Sequence, residues 1–265
     1  MQLHSNKGFH KDRMYSPSSA GTSGYHSALR SPPTSRTFPV EELQNEIFDQ
    51  GCVLKRGDYS IGLADPHGRH SEASALIQRM YSWRGYHTES TAVCSYNQAA
   101  LEAFSGQNLA GTLTLRLDSE EGLLADELYE QEISTFRAGN RKVCELSKFA
   151  IDPLYSSKDL LASLFNLAYI YARILCKAKD AFIEVNPRHI GYYKRMLGFR
   201  QISEMRTCQR VNAPAVLLHL ELDYMEMQIS SLAGSCKIKE RSLYPYFLSQ
   251  HEEKKVANNL RRHIN

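Results

Sequence analysis

The sequence lacks several features that would place it in a class directly. Its six cysteines are scattered without a CxxC pair, which argues against a disulfide framework and favours free thiols in a reducing compartment. A net charge of +3 is too small to indicate nucleic-acid binding. The longest apolar run free of charged residues, Leu160 to Ala172, falls short of the ~20 residues that a membrane span needs. We therefore expect a cytoplasmic protein without a transmembrane segment or a nucleic-acid partner.

The composition is otherwise that of a globular protein, except over residues 1–38. Hydrophobic residues make up 42% and charged residues 23% of the 265 residues, which suits one domain with extensions, or at most two. Residues 1–38 are rich in Ser, Gly, Pro, Lys and Arg and lack the apolar run of a secretory signal. We predict a disordered tail there, with a transit peptide as the alternative. Residues 39–229 are predicted to form the main domain and residues 230–265 a C-terminal helical extension.

The stretch from Val143 to Phe199 predicts a βαβ unit followed by a further helix. Its elements are, in order, a strand over Val143–Ile151, a helix from about Lys158 to Lys177, a strand over Ala181–Val185 and a helix over Ile190–Leu197. Asp152-Pro153 ends the first strand, because proline cannot donate to a sheet ladder. Two strands joined by a crossover helix indicate parallel pairing.

The flanking segments predict antiparallel strands and short helices. The predicted helices are residues 40–49, Ser71 to Trp83, Leu128 to Thr135, one or two turns over 223–229, and Glu252 to Arg262. The predicted strands are Tyr59–Ala64, Thr91–Tyr96, Ala100–Phe104, Leu109–Leu117, Phe199–Arg210 and Ala215–Leu222, with turns at Gly51 and Gly57-Asp58. The fold class is thus α/β, with a mixed, mostly antiparallel sheet around a parallel βαβ unit.

One loop brings possible metal ligands together. Asp65, His67 and His70 lie within six residues, but no further ligand set follows them. We interpret the loop as a turn that leads into a helix, and predict no metal site.

Several motifs resemble known families. The segment Tyr192 to Phe199, ending in Gly198-Phe199, resembles the tyrosine-rich end of the last helix in GNAT N-acyltransferases, with one more residue after Tyr193 than the common form. A closer resemblance, from about Tyr59 to the C-terminus, is to the FeeM-type long-chain N-acyl amino acid synthases. It is carried by the stretches 75–86, 111–119, 123–127, 144–150 and 214–218. In the related acyl-homoserine-lactone synthases an ExSRF pattern matches Glu145 to Phe149, with Lys148 in place of arginine.

The resemblance implies a GNAT-like fold in which the two parallel strands splay and open a cleft for an acyl thioester. Amide formation requires a neutral amine, so a general base is needed. Glu145, in an apolar strand, is the candidate base, since desolvation raises a carboxyl pKa. The rival interpretation of Glu145 is a buried ion pair with Arg79 or Arg116. Tyr193 is a candidate acid for the leaving thiolate, or a core residue.

Further substrate-binding residues follow from the same resemblance. Backbone N–H groups near Ser147, Lys148 and Phe149 are expected to hold the oxyanion. Arg79, Trp83 and Arg116 match positions that shape the acceptor pocket, and an arginine suits a carboxylate-bearing acceptor. Packing on a helix face is the alternative for Trp83. The side chains expected along an acyl tunnel, or in plain core, are Leu146, Phe149, Phe165 and Tyr169.

The predicted acyl donor follows from the absence of glycine before the long helix. CoA-dependent GNAT enzymes carry a glycine-rich loop before the long helix, where backbone N–H groups cradle the pyrophosphate. Here residues 154–160 contain no glycine, and Asp159 repels phosphate. We expect no tightly bound cofactor, and an acyl-phosphopantetheine thioester on acyl carrier protein as donor. The basic residues that would dock this acidic partner are Lys148, Lys158, Arg173, Lys177 and Lys179, unless they are simply solvated.

The predicted function is therefore transfer of a long acyl chain from acyl carrier protein to the amine of an amino acid, with peripheral membrane contact through the lipid product. Two alternatives within enzymes are an autoinducer-type lactone synthase and a CoA-dependent acetyltransferase. A non-catalytic module that binds acyl chains or a carrier protein is the alternative outside enzymes.

Overall fold

The computed structural model describes residues 51–64, 70–86, 97–235 and 240–264. The predicted tail over 1–38, the helix over 40–49, the loop residues 65–69 and the strand over 91–96 lie outside the described residues. The division into a tail, a main domain and an extension stays a prediction.

Nine strands and six helices make up the described part of the chain. The strands are β1 (Cys52–Arg56), β2 (Tyr59–Leu63), β3 (Gln98–Ser105), β4 (Asn108–Leu117), β5 (Val143–Ile151), β6 (Asp180–Val185), β7 (Arg200–Gln201), β8 (Arg206–Cys208) and β9 (Ala213–Glu221). The helices are α1 (His70–Ser82), α2 (Asp126–Arg137), α3 (Lys158–Tyr169), α4 (Ile190–Leu197), α5 (Leu222–Leu232) and α6 (Gln250–Ile264).

The strands form one mixed sheet in the order β1-β2-β3-β4-β5-β6-β9-β7, with β8 also pairing with β9. Its pairs are antiparallel except for β5 and β6, which run parallel and are joined through α3. The predicted fold class and the parallel βαβ unit are therefore confirmed. The strand β5 and the helix α4 have the bounds that the sequence predicts.

The two faces of the sheet carry separate apolar clusters, because successive strand residues point to opposite sides. On one side, which we call the α2 face, the buried residues are Leu123, Ala125, Tyr129, Ile133, Val143, Phe182 and Leu217. On the other, the α3 face, Cys144, Ala181 and Leu218 belong to the larger core under α3. Residues alternate between these clusters along β5 and β6, so the parallel unit is covered on both faces.

Four predicted elements differ from the structure. The segment between Gly51 and Gly57 forms strand β1, because Gly57 at φ 56° makes a tight hairpin to β2. The helix predicted to reach Lys177 changes at Ile170 into a π-helical turn, Ile170–Leu175. The strand predicted over Phe199–Arg210 divides into β7 and β8. The turns expected over 223–229 form the three-turn helix α5.

The C-terminal segment packs onto α3. Asn166 of α3 is fully buried, and its Oδ1 accepts a hydrogen bond of 2.8 Å from the backbone N–H of Leu248. On α6, Val256, Ala257 and Leu260 are buried in the same core as α3. None of the helices in the described ranges has the length and apolar character that crossing a bilayer requires.

A buried charge cluster holds the amino-terminal end of the parallel pair. Asp180, at the start of β6, is fully buried. The guanidinium of Arg141 donates hydrogen bonds of 2.7 to 3.0 Å to both oxygens of its carboxylate. His219 of β9 lies 2.8 Å from the other side of the same carboxylate. Burial works against ionisation of Asp180, but the bonds from His219 and Arg141 outweigh burial and lower its pKa. The cluster thus ties β5, β6 and β9 together at one end.

We expect Asp180→Asn to lower the free energy of unfolding by about 3 kcal/mol, because it removes the buried carboxylate that Arg141 and His219 bind. A lowered pKa in the folded state gives stability that is present above the unfolded pKa and lost as pH falls through the folded one. Urea unfolding from pH 3 to pH 7 should show this acid loss in the wild type and a flatter profile in the variant. Glu221→Gln, which breaks an exposed pair with Arg200, is the control and should change stability by less than ~1 kcal/mol. Equal effects of the two variants would contradict the role of Asp180.

Candidate active site

The parallel strands β5 and β6 pair over a short distance and then separate. Their ladder consists of Val143 with Asp180, Cys144 with Ala181 and Glu145 with Phe182. Beyond Glu145, β5 continues to Ile151 and β6 to Val185 without further pairing to each other. The strands therefore open a gap toward their carboxyl ends, as the sequence predicts, and Glu145 lies where the gap begins.

A β-bulge shapes the edge of this gap. Between the pairs Thr112–Ala150 and Thr114–Ser147, β5 has one residue more than β4, and Lys148 adopts φ 49°. A left-handed lysine is uncommon outside functional or tightly constrained positions. The bulge keeps Ser147 and Ala150 on the same face as Glu145. The Oγ of Ser147 is buried and has no hydrogen-bond partner in the described part of the chain.

Glu145 is the buried carboxyl group at the closed end of the gap. Its side chain lies on the α2 face, is 1% exposed, and accepts backbone N–H bonds from Leu124 at 2.6 Å and Ala125 at 3.3 Å. Burial raises its pKa from the usual 4.5 to about 7, and the neighbouring Glu184 adds to the rise, whereas Arg210 and the two N–H donors oppose it. A carboxyl group with this pKa exchanges a proton near neutral pH, which suits a general base.

Arg210 ties together the groups around Glu145. From the loop before β9 it donates to the carbonyl oxygen of Leu124 at 2.5 Å and to Glu127 at 2.6 Å. Its other terminal nitrogen donates to Glu184 of β6 at 2.6 Å. Arg210 thus fixes the peptide that binds the Glu145 carboxylate and neutralises the carboxylate of Glu184. Sequence analysis did not single out Arg210 or Glu184, because their convergence depends on a loop whose path no local pattern specifies.

The predicted acceptor residues lie in different places. Arg116 of β4 is directly opposite Glu145, so their side chains share one face; Arg116 lies 3.7 Å from Glu121. Arg79 of α1 pairs with Asp152, which follows β5 at the far end from Glu145. Trp83 follows α1 and is 76% exposed, so packing in the core does not account for it. The structure therefore brings Arg116, but not Arg79 or Trp83, beside Glu145.

Tyr193 lies among aromatic rings next to the gap. Its ring is 6.4 Å from Phe165 of α3 and 6.0 Å from Phe199, and Phe149 of β5 is 5.1 Å from Phe165. Burial, followed by the nearby Tyr81 of α1, raises the pKa of Tyr193. Tyr193 therefore contacts the α3 face and also approaches α1, and it keeps its proton at neutral pH.

An apolar recess lies on the α3 face, on the opposite side of β5 from Glu145. Its cavity volume is about 10 Å³, about the space of one water molecule, so the recess is a small gap in the core and not an open ligand site. Its lining is entirely apolar or aromatic and includes Leu146, Phe165, Ala168, Tyr169 and Phe199. Three of the four side chains expected along an acyl tunnel thus line one recess, and the fourth, Phe149, packs on Phe165.

Comparison with known proteins identifies the family. A family model described as N-acyl amino acid synthase FeeM matches residues 72–221, more than half of the chain. The chain belongs to the FeeM family. Its members are acyltransferases, so the chain is an acyltransferase enzyme. A search of curated proteins gives no significant match.

Solved structures share the fold of this FeeM-family chain. The structure of FeeM, an N-acyl amino acid synthase from uncultured soil microbes, matches with a TM-score of 0.58 and 24% identity, over 64% of this chain and 93% of that one. An N-acetyltransferase from Staphylococcus aureus Mu50 matches with a TM-score of 0.46 and 13% identity, over 63% and 99%. The AHL synthase LasI matches with a TM-score of 0.42 and 12% identity, over 62% and 89%. The fold that the sequence predicts, a mixed sheet around a parallel βαβ unit, is confirmed.

No group of three or more His, Cys, Asp or Glu side chains in the described ranges is placed to hold a metal ion. The groups that the structure brings to the gap are a carboxyl group, hydroxyl groups and backbone N–H groups. Such groups can move a proton and stabilise an oxyanion.

Glu145→Gln should reduce turnover by about 10²- to 10⁴-fold, the usual contribution of a general base. Wild-type kcat/KM should fall as pH drops below about 7, because the carboxyl group then becomes protonated. A raised pKa in the folded state also costs stability as pH rises from 4.5 to about 7, so the variant should gain up to about 3 kcal/mol at pH 8.

The measurements are pH–rate profiles and thermal unfolding at several pH values. Glu130→Gln, on the exposed side of α2, is the matched control and should leave both profiles unchanged. If Glu145→Gln retains full activity, Glu145 is not the base.

Proposed function

We propose that the chain is an N-acyltransferase that joins a long fatty acyl group from acyl carrier protein to the amine of an amino acid. The observation that carries the proposal is the gap between β5 and β6, with Glu145 at its closed end and an apolar recess on the other face of the same strand. This arrangement offers an amine a base on one side of β5. On the other side it offers an acyl tail an apolar lining, whose side chains must move apart to admit the tail.

In the proposed reaction the neutral amine attacks the thioester carbonyl carbon. The new C–N bond forms as Glu145 takes the amine proton, and the C–S bond breaks as the thiolate leaves. Tyr193 retains its proton because its pKa is raised, so it donates a hydrogen bond to the departing sulfur, and solvent supplies the proton that the thiolate takes up. Glu145 returns its proton to solvent before the next turnover, which a pKa of about 7 permits.

The oxyanion is proposed to bind along the unpaired edge of β5. In the described part of the chain, β5 makes no ladder with β6 from Leu146 onward, and the N–H groups of this edge are proposed to face the ligand in the gap. The bulge at Lys148 alters the direction of these groups over Ser147, Lys148 and Phe149. The unpartnered Oγ of Ser147 supplies one more polar group on the face of Glu145.

The start of α3 supports acyl carrier protein rather than CoA as the donor. Ser157 caps this helix by accepting from the N–H of Leu160 at 3.1 Å, so one of the free N–H groups is already occupied. Asp159 in the first turn lies 3.5 Å from Arg56, and adds a negative charge where a pyrophosphate would sit. A phosphopantetheine arm carries one phosphate and requires no cradle of this kind.

Two of the basic residues predicted to dock the carrier protein already form ion pairs within the chain. Arg173 pairs with Asp223 and with Glu226, the latter at 2.9 Å, and Lys179 lies 3.4 Å from Asp223. These two residues are engaged with α5. Lys158 lies 5.3 Å from the ring of Tyr246, close to the start of α3. We therefore place docking near the amino-terminal end of α3 and not near Arg173.

The donor and acceptor are tested with dodecanoyl-acyl carrier protein and dodecanoyl-CoA, each supplied with a mixture of amino acids. Mass spectrometry should detect N-dodecanoyl amino acids, formed at least about tenfold faster from the carrier protein, because the pyrophosphate of CoA has no cradle. Glu145→Gln serves as the inactive control. Faster reaction with CoA would overturn the donor assignment, and the absence of amide from either donor would overturn the proposed function.

The recess is tested by Ala168→Leu, which fills part of it. Excluding one methylene group costs about 0.8 kcal/mol, so kcat/KM for the longest chains should fall about fourfold per excluded carbon while shorter chains react as before. Ala162→Leu, also on α3 and fully buried but outside the recess, is the matched control for overpacking. An unchanged chain-length profile in a folded Ala168→Leu variant would show that the acyl tail binds elsewhere.

A further inference from the structure

Two arginines, a tyrosine and a histidine lie at the open end of the gap. We call Arg84, Tyr86, Arg188 and His189 the mouth cluster. The first two follow α1, and the last two lie in the turn Pro187–His189 between β6 and α4. The cluster therefore joins the end of α1 to the segment that follows β6, beyond the point where β5 and β6 have separated.

Arg188 is in contact with two other members of the mouth cluster. The guanidinium of Arg188 lies 4.9 Å from the ring centre of Tyr86, and its Nε lies 3.3 Å from Nε2 of His189. Burial, then the charges of Arg188 and Arg84, lower the pKa of His189, so both guanidinium charges act on one imidazole. Arg84 is held by a 3.0 Å bond from its guanidinium to the carbonyl oxygen of Met80.

The two arginines of this cluster differ from the other arginines near the gap in their ion pairing within the described ranges. No carboxylate within the described ranges forms an ion pair with Arg84 or Arg188. By contrast, Arg79 and Arg116 already have Asp152 and Glu121 beside them. In addition, the hydroxyl of Tyr86 is buried and makes no hydrogen bond in the described part of the chain. Like charges that converge beside an unsatisfied donor favour the entry of an anion.

The position of the mouth cluster relates it to the reaction. Tyr193 contacts Phe165 and Phe199, which line the recess, and Arg84 and Tyr81 both influence its pKa. Tyr193 thus lies between the apolar recess and the mouth cluster. Because α1 packs over Ala150, on the face of Glu145, the cluster opens to the side where the amine is proposed to enter.

We propose that Arg84 and Arg188, with the Tyr86 hydroxyl, bind one anionic group of a substrate, which is the carboxylate of the acyl acceptor. The assignment rests on the proposed function, because an amino acid brings its carboxylate together with the reacting amine. An arginine pair binds a carboxylate or a phosphate with similar geometry. The phosphate of the phosphopantetheine arm is the other substrate anion with this chemistry, and it defines the second arm of the test.

The test uses Arg84→Gln and Arg188→Gln, with Arg195→Gln on the exposed side of α4 as the matched control. In the first arm, kcat/KM is measured for an amino acid and for its decarboxylated amine. The wild type and Arg195→Gln should prefer the amino acid, and each mouth variant should lose about 10- to 100-fold of this preference, chiefly through KM. Arg188→Lys should restore part of it, since the charge remains but the planar fork is lost.

In the second arm, dodecanoyl phosphopantetheine is compared with dodecanoyl pantetheine, which lacks the phosphate. If the mouth variants lose the preference for the phosphorylated donor and keep the preference for the amino acid, the cluster binds an anion, but that anion is the donor phosphate. This result would overturn the assignment to the acceptor carboxylate. If neither preference changes in folded variants, the mouth cluster is not a substrate site.

If the wild type forms no amide at all, the proposed function fails independently of the site. The site is then decided by calorimetric titration of an N-dodecanoyl amino acid and of its carboxamide. The carboxylate form should bind the wild type at least about tenfold more tightly than Arg188→Gln. Equal affinities would overturn the site.

Discussion

The site depends on where the parallel ladder between β5 and β6 stops. Three residue pairs hold the strands together, and Asp180, bound by Arg141 and His219, closes the ladder at its amino-terminal end. The strands separate beyond Glu145, and the β5 bulge lies in the separated part. A shorter ladder would leave Glu145 accessible to water and lower its pKa. A longer ladder would fill the space that a thioester needs.

Burial of Glu145 is balanced by fixed groups rather than by a single counter-ion. Two N–H donors hold the carboxylate, and Arg210 acts from a greater distance while it neutralises Glu184. A direct pair with arginine would keep the carboxyl group ionised and make it a weak base. The arrangement leaves the pKa near 7, at the cost of stability that an apolar or neutral residue would provide.

The sequence predicts more of the fold than of the candidate active site. The strand β5 and the helix α4 have clear stops, Asp152-Pro153 and Gly198, and the structure places them as predicted. Glu145 and the apolar side chains near it were proposed because the motifs around them resemble those of the FeeM type. The partners of Glu145 come from two loops distant in sequence, at Leu124 and Arg210, and local patterns do not predict such convergence. The π-helical turn after α3 has the same apolar composition as the helix it interrupts, so the sequence gives no sign of it.

The division of the sheet into two faces bears on how such an enzyme can diversify. Leu146 points into the apolar recess and Glu145 to the opposite side, although they are neighbours in the chain. If the acyl tail and the amino acid bind on opposite sides of β5, substitutions that resize the recess leave the amino acid site unchanged. Substitutions in the amino acid site likewise leave the recess unchanged. Lipid length and head-group chemistry could then drift independently during evolution, with the proton-transfer residue held constant between them.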